Sequence, residues 1–346
     1  LIALALIAVL AFAARAQAAE NVYWDNYRAV PQTIGVAGID GSGGGPLNLT
    51  GATLESPEGM AYDTVTNRLF VGSSFPEKSD QGQIFFVSLD GSGSGVLATP
   101  GAPVEEPEGV AVDPTTRMIY WTNTAGGSGG EGSIGFARLD GSGGGSLNTT
   151  GATLDRPYKI ALDPVAGKVF WANNSAGGAT ISWAFVNGSG GGNLDLTGAP
   201  EPESITGLSV DPIGGRIYWL DNGEEEIGYA SLSGGGGGAV NLAGVTFGEN
   251  QFFDDPYGLA FDPSKGRLYW GNYGQEKSST NAIGYVDVAG GAGGITPAVA
   301  PVDGPQDPVI IKSPSGTGAP TIARDPANPA ALSCSTGSWA GDYPGS

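Results

Sequence analysis

Apolar residues fall along this chain in short alternating runs, and the runs recur about every fifty residues. Six share one phase: Val22-Tyr23-Trp24, Leu69-Phe70-Val71, Ile119-Tyr120-Trp121, Val169-Phe170-Trp171, Ile217-Tyr218-Trp219 and Leu268-Tyr269-Trp270. Their last members stand 47, 50, 50, 48 and 51 residues apart, with Val71 as the degenerate copy of an otherwise invariant tryptophan. A fixed period of this length marks a repeat architecture.

Each unit predicts four strands. The first carries a Gly-x-x-x-Asp pattern at 59–63, echoed at 109–113, 207–211 and 258–262, and at 159–163 with Lys159 in place of glycine. The second holds the tryptophan phase and is apolar on both sides, as expected of a strand packed between two neighbours. The third begins at Ile34, Ile84, Ile134, Ile181, Ile227 and Ile283. Asp-Gly turns such as Asp90-Gly91 and Asp140-Gly141 then signal a hairpin. The fourth strand is expected at Leu47-Asn48-Leu49, Leu147-Asn148-Thr149, Leu194-Asp195-Leu196 and Val240-Asn241-Leu242. Nothing between these runs has a helical period.

Six four-stranded antiparallel units predict an all-β fold, a six-bladed β-propeller, over residues 20–313. Residues 21–49 supply a second, third and fourth strand but no first, whereas 307–311 read as a first strand with no second. The sixth blade is therefore expected to be closed by the N- and C-terminal segments together, which removes an exposed sheet edge.

Outside the ring, residues 1–14 are apolar and Arg15 and Ala16-Gln17-Ala18 follow. This reads as a secretory signal peptide over 1–19, too short to span a bilayer. The chain opens on Leu without a basic region, so the reading is of a fragment. Residues 314–320 read as a linker. Residues 321–346 read as a truncated immunoglobulin-like repeat or a disordered tail.

Composition narrows the function. The 35 acidic and 15 basic residues give a formal charge of -20, which argues against nucleic acid or an anionic membrane as partner and fits a soluble surface protein able to attract cations. One cysteine, Cys334, leaves the body without a disulfide framework. There is no histidine, so a histidine base and histidine-liganded zinc are excluded.

Tyr218-Trp219-Leu220-Asp221 and Tyr120-Trp121-Thr122-Asn123, each preceded by the Gly-x-x-x-Asp strand, resemble the YWTD repeat, the class B repeat of low-density-lipoprotein-receptor-type propellers. The fourth position is Asp only at Asp221; elsewhere it is Asn26, Ser73, Asn123, Asn173 and Asn272. That resemblance implies a secreted ring that binds or scaffolds proteins, with NHL-type propellers the nearest competing family. The run from Leu332 to Trp339 resembles the start of an immunoglobulin-like repeat of bacterial surface proteins.

Several motifs recur with the period and so read as structural. The Gly41-Ser42-Gly43-Gly44-Gly45 type of loop lacks the Lys-Ser/Thr and the helix of a phosphate site, and reads as a hairpin turn. Asp63, Asp113, Asp163, Asp211 and Asp262 each precede a basic residue (Arg68, Arg117, Lys168, Arg216, Arg267), which suggests turn residues with a charge pair across the hairpin. Asn-x-Ser/Thr triplets at Asn48, Asn148, Asn173 and Asn187 match glycosylation acceptors.

Positions that break the period are the candidates for function. Five residues before each repeat Asp stand Glu58, Glu108, Tyr158, Thr206 and Tyr257, expected to ring the channel mouth; the alternative is solvated turns. Phe252, Phe253, Asp254 and Asp255 form the longest departure, suited to a ligand contact or to filling an interblade gap. Asp221, Glu224 and Glu226 form an oxygen-rich turn that either holds calcium or is a solvated acidic hairpin. The leading reading is a non-catalytic, secreted or cell-surface module whose mouth engages an extracellular protein or glycan, with no cofactor and no membrane insertion of the mature fragment. The alternatives are a metal-dependent lactonase- or lyase-type enzyme and a purely structural spacer.

Overall fold

The computed structural model describes residues 20–312, apart from 50–53, 76–80, 127–130, 176–177, 244, 246–254, 274–280, 291 and 297–301, and four short strands between 315 and 340. The proposed signal peptide and Phe252, Phe253 and Asp254 lie outside the described residues.

Six four-stranded antiparallel sheets make a β-propeller. Blade 2 is built from Pro57–Asp63, Arg68–Ser74, Gly82–Ser88 and Ser94–Val96, with blades 3 to 6 repeating that order. Blade 1 is composite. Its innermost strand is Pro305–Lys312, followed outward by Glu20–Asn26, Thr33–Gly38 and Gly45–Pro46.

The core is divided among six apolar clusters, each shared by two adjacent blades, so the ring closes through six equivalent layers. Trp24, Trp121, Trp171, Trp219 and Trp270 are fully buried within them. The tryptophan needs a small residue opposite it on the third strand. Trp24 pairs with Gly35, Trp121 with Gly135, Trp219 with Gly228 and Trp270 with Gly284, while Trp171 faces Ser182. A Cβ on Gly35 would stand 2.3 Å from the Trp24 ring. In blade 2 the volumes are exchanged: Val71 faces Phe85, and both are fully buried.

In four blades the residue two positions after the phased tryptophan (Asn26, Asn123, Asn173 and Asp221) is a buried polar anchor. Asn123 accepts from the Trp121 indole N–H at 3.1 Å and from the Glu105 backbone N–H at 2.8 Å. Asn173 does the same for Trp171 and Asp155, and Asn26 for Trp24 and Asp303. The fourth position of the tetrapeptide thus pins the loop that leads into the channel, which Asn does as well as Asp.

Two sequence expectations are corrected. The outer strands are Gly-rich, at Gly45–Pro46, Ser94–Val96, Gly144–Ser146, Gly191–Asn193, Gly238–Ala239 and Gly293–Ile295, and so lie just before the Leu-Asn-Leu runs. Those runs begin where the ladder ends: Leu147 N–H donates to Ile134 O, and Leu194 N–H to Ile181 O. The second concerns the repeat Asp residues. Asp63 and Asp113 accept from backbone N–H groups and a threonine hydroxyl in their own turns, as turn residues do. The charge pair made by Asp63 runs to Arg117 of the next blade instead of across its own hairpin to Arg68. Burial pushes the Asp63 carboxyl up, but its hydrogen bonds from Arg117 and Thr66 prevail and hold it below the usual range.

The second compact unit contains Ser315–Gly318 paired with Ser338–Ala340, and Ile322–Arg324 paired with Leu332–Cys334. No helix among the described residues is long and apolar enough to cross a membrane.

Candidate functional site

The innermost strands line the central channel in three successive levels. The first holds Glu58, Glu108, Tyr158, Thr206, Tyr257 and Gln306. The next residue on each strand is Gly59, Gly109, Lys159, Gly207, Gly258 or Asp307. The third level is apolar: Met60, Val110, Ile160, Leu208, Leu259 and Pro308. In blades 2 to 6 the pairing with the second strand shifts within these first two levels, a bulge that gives both residues to the channel.

Glycine fills the second level in four blades because the strands crowd there. A Cβ on Gly59 would lie 2.7 Å from the Gly109 Cα. The two exceptions, Lys159 and Asp307, belong to blades 4 and 1, three places apart in a ring of six and therefore opposite each other. They meet across the channel at 2.8 Å, both more than nine-tenths buried. Asp307 also accepts the Gly59 backbone N–H at 2.8 Å. Its φ of 43° lies in the left-handed region that glycine adopts at the equivalent Gly59 (70°) and Gly258 (67°). An aspartate held there stores strain of about 1–3 kcal/mol, which these two contacts offset.

Lys159 is the hub of an acidic centre. Its ammonium donates to the Glu108 carbonyl at 3.0 Å and stands 3.7 Å from Glu58 Oε2. Burial pulls its pKa down, but Asp307, Glu58 and Glu108 together leave it raised. Burial pushes Glu58 well above the usual carboxylate range, reinforced by Glu108 and opposed by Lys159. Glu108, hydrogen-bonded to Glu58, is pushed up by burial to about 7 against the pull of Lys159. Asp25, fully buried, is raised by burial and then by Asp307, and neither of its oxygens has a hydrogen-bond partner. Beneath this centre Lys159, Asp307 and the apolar level line a half-open cavity of about 50 Å³, room for a few waters at most.

Tyrosines surround the mouth. Tyr27 and Tyr273 meet edge to face at 6.0 Å, Tyr257 lies 5.7 Å from Tyr273, and the Arg28 guanidinium covers the Tyr273 ring at 3.8 Å. The Tyr158 hydroxyl is raised by burial and then by Glu108 and Glu58; the same burial lifts Tyr257 to about 12. From Tyr158 an open pocket of about 330 Å³ leads outward past Arg156, Asn174, Ser175 and Glu203.

The structure therefore brings Glu58, Glu108, Tyr158, Thr206 and Tyr257 to one level. Glu58 and Thr206 are buried and the other three half-buried, and Thr206 donates to the Pro256 carbonyl. Asp255 accepts from Asn222 at 2.8 Å and ties blades 5 and 6. Asp221 lies apart from this site. Its carboxylate accepts the backbone N–H groups of Glu203, Ser204 and Gly223, so it anchors a loop, with Glu224 exposed and Glu226 half-buried on the turn. Among the described residues no group of three or more acids or cysteines is arranged to hold a metal. The residues that sequence reasoning missed are Asp25, Lys159, Asp307, Gln306, Tyr27 and Tyr273. A signal for the second and third was present, since each stands where four blades have glycine.

No family model and no curated protein matches the chain. Solved structures do. The chain is similar to a protein of a nidogen/laminin complex (17% identity, TM-score 0.62, covering 84% of this chain and 98% of that one). It is also similar to TolB from Acinetobacter baumannii (14%, 0.59, 84% and 66%). A third similar structure is a gluconolactonase from Xanthomonas campestris (13%, 0.51, 92% and 92%). At these identities the likeness is one of fold.

Proposed function

We propose that this propeller is a secreted or cell-surface binding module, related to the YWTD class, whose channel mouth engages an extracellular protein or glycan. The observation that carries the reading is the construction of the mouth. Tyrosines frame two adjacent carboxyls, while the Lys159–Asp307 pair and the apolar level beneath leave no room for a substrate deeper in. Aromatic side chains beside charged groups are the usual anchors of interfaces. A metal-dependent lactonase or lyase would hold its cation at the centre of the channel, and there, one level below the mouth, the Lys159 ammonium already meets Asp307. The apolar run before Ala16-Gln17-Ala18 supports export, and a similar fold in a complex with laminin supports a protein partner.

The half-buried Tyr158 and Tyr257 provide the test. Replacing both with Ala should weaken ligand capture from a cell-surface extract or a glycan array by about tenfold or more, with the melting temperature little changed. Capture that is equal in the variant and the parent would refute a mouth-face site.

A further inference from the structure

At the first level of the channel Gln306 Oε1 accepts no hydrogen bond, and Glu58 Oε2 and Glu108 Oε2 have no donor beyond the contact between the two carboxyls and the Lys159 ammonium 3.7 Å from Glu58 Oε2. Glu58 and Gln306 are 8% and 4% exposed and stand at equivalent positions on adjacent blades. Gln306 is an observation independent of the acids, because its amide oxygen is uncharged and lacks a donor at the same level. A buried acceptor left unpaired is costly, and native proteins rarely tolerate several together.

Carboxyls outnumber cations around these atoms. Asp25, Glu58, Glu108 and Asp307 face one buried cation among the described residues, Lys159, with Arg28 drawn aside onto Tyr273, and burial together with mutual repulsion holds the protons of Asp25 and Glu58 more tightly than usual. The tyrosines already hold cations on their faces: Arg28 lies 3.8 Å from the Tyr273 centroid and Lys159 Nζ 5.0 Å from that of Tyr158. Glu108, Tyr158 and Tyr257 are only half-buried, so the approach from solvent passes between them.

We propose that the mouth binds an alkylammonium group, the group carried by a lysine side chain or an amino sugar. An ammonium has three N–H donors and no acceptor, which complements the unpaired Gln306 oxygen and the under-satisfied carboxyls beside it, and its charge is favoured over tyrosine faces. This names the chemistry of the ligand and rests on the binding-module reading above. Glu108 titrates at about 7 in the field of Asp25, Glu58, Glu106, Asp307 and Lys159, with Tyr27, Tyr158 and Tyr257 packed beside it. Its ionised form is the one that receives a cation, so binding strengthens as pH rises through 7 and fades below it.

The experiment titrates the full chain by calorimetry with Nα-acetyl-lysine methylamide and, separately, with glucosamine. Their neutral N-acetylated counterparts serve as controls. The expected result for the lysine probe at about pH 8 is saturable binding, about tenfold or more tighter than its neutral control and weaker by a similar factor at about pH 5.5. The two probes are ranked at about pH 7, where both amines are mostly protonated, and the stronger identifies the source of the group. Glu108→Gln should lose the charge preference; if that variant does not fold, the comparison of charged and neutral probes on the parent chain decides. Equal binding of charged and neutral probes, or no saturable binding of either, would overturn the inference. Ligand capture that depends on Tyr158 and Tyr257 without any ammonium binding would overturn it alone and leave the binding-module reading standing.

Discussion

Lys159 and Asp307 show how a symmetric ring comes to have a unique centre. Four blades leave the second level to glycine, and two opposite blades fill it with a charge pair at 2.8 Å. A buried pair of this kind is poor evidence of net stabilisation, yet removing one partner leaves the other charge stranded. Asp307→Gly relieves the left-handed strain at that position but orphans Lys159 and removes the acceptor for the Gly59 N–H. We expect it to cost about 3–5 kcal/mol in urea unfolding. Lys159→Gly with Asp307→Gly restores glycine at all six positions and should cost less than the sum of the two single changes. A double variant as unstable as that sum would mean the two residues act independently.

At the scale of the strand, the pairing of Val71 with Phe85 answers a question left by the tryptophan phase. The missing indole is not a void, because its volume has moved across the ladder to the third strand. Val71→Trp alone should destabilise by about 1–3 kcal/mol through overpacking, and adding Phe85→Gly should recover most of the loss. A double variant no better than the single one would show that blade 2 has adapted its backbone as well. The tryptophan phase and the isoleucine starts were legible in sequence because burial between blades demands the same residues every time, and the composite blade because the two incomplete copies near the ends of that pattern complement each other. The outer strands were placed two to three residues late because Gly-Gly-Ser has little strand propensity. Backbone bonds to the third strand hold it, so the side chains carry no signal. Glu58, Glu108, Tyr158, Thr206 and Tyr257 were legible as one varying position. Lys159 and Asp307 stand 148 residues apart, and no local pattern relates two residues that meet only across a closed ring. Asp25 is the only acid among the residues that directly follow the tryptophan phase, yet its partners too come from distant blades.

At the scale of the molecule, closure depends on the strand Pro305–Lys312, which contributes Gln306 and Asp307 to the channel and completes blade 1. Deleting 306–312 removes the innermost strand and strands Lys159 as well, so cooperative unfolding of the whole ring should be lost. A truncated protein that melts like the parent would show that five blades suffice. The same strand sets the mechanics of the chain. Glu20 and Lys312 form an ion pair of 3.9 Å, so the polypeptide enters and leaves blade 1 at one corner. Tension between its two ends would pull that seam apart one hydrogen bond at a time, as a zip opens. Under tension along its own chain the ring is therefore expected to open first at blade 1, before any other blade comes apart.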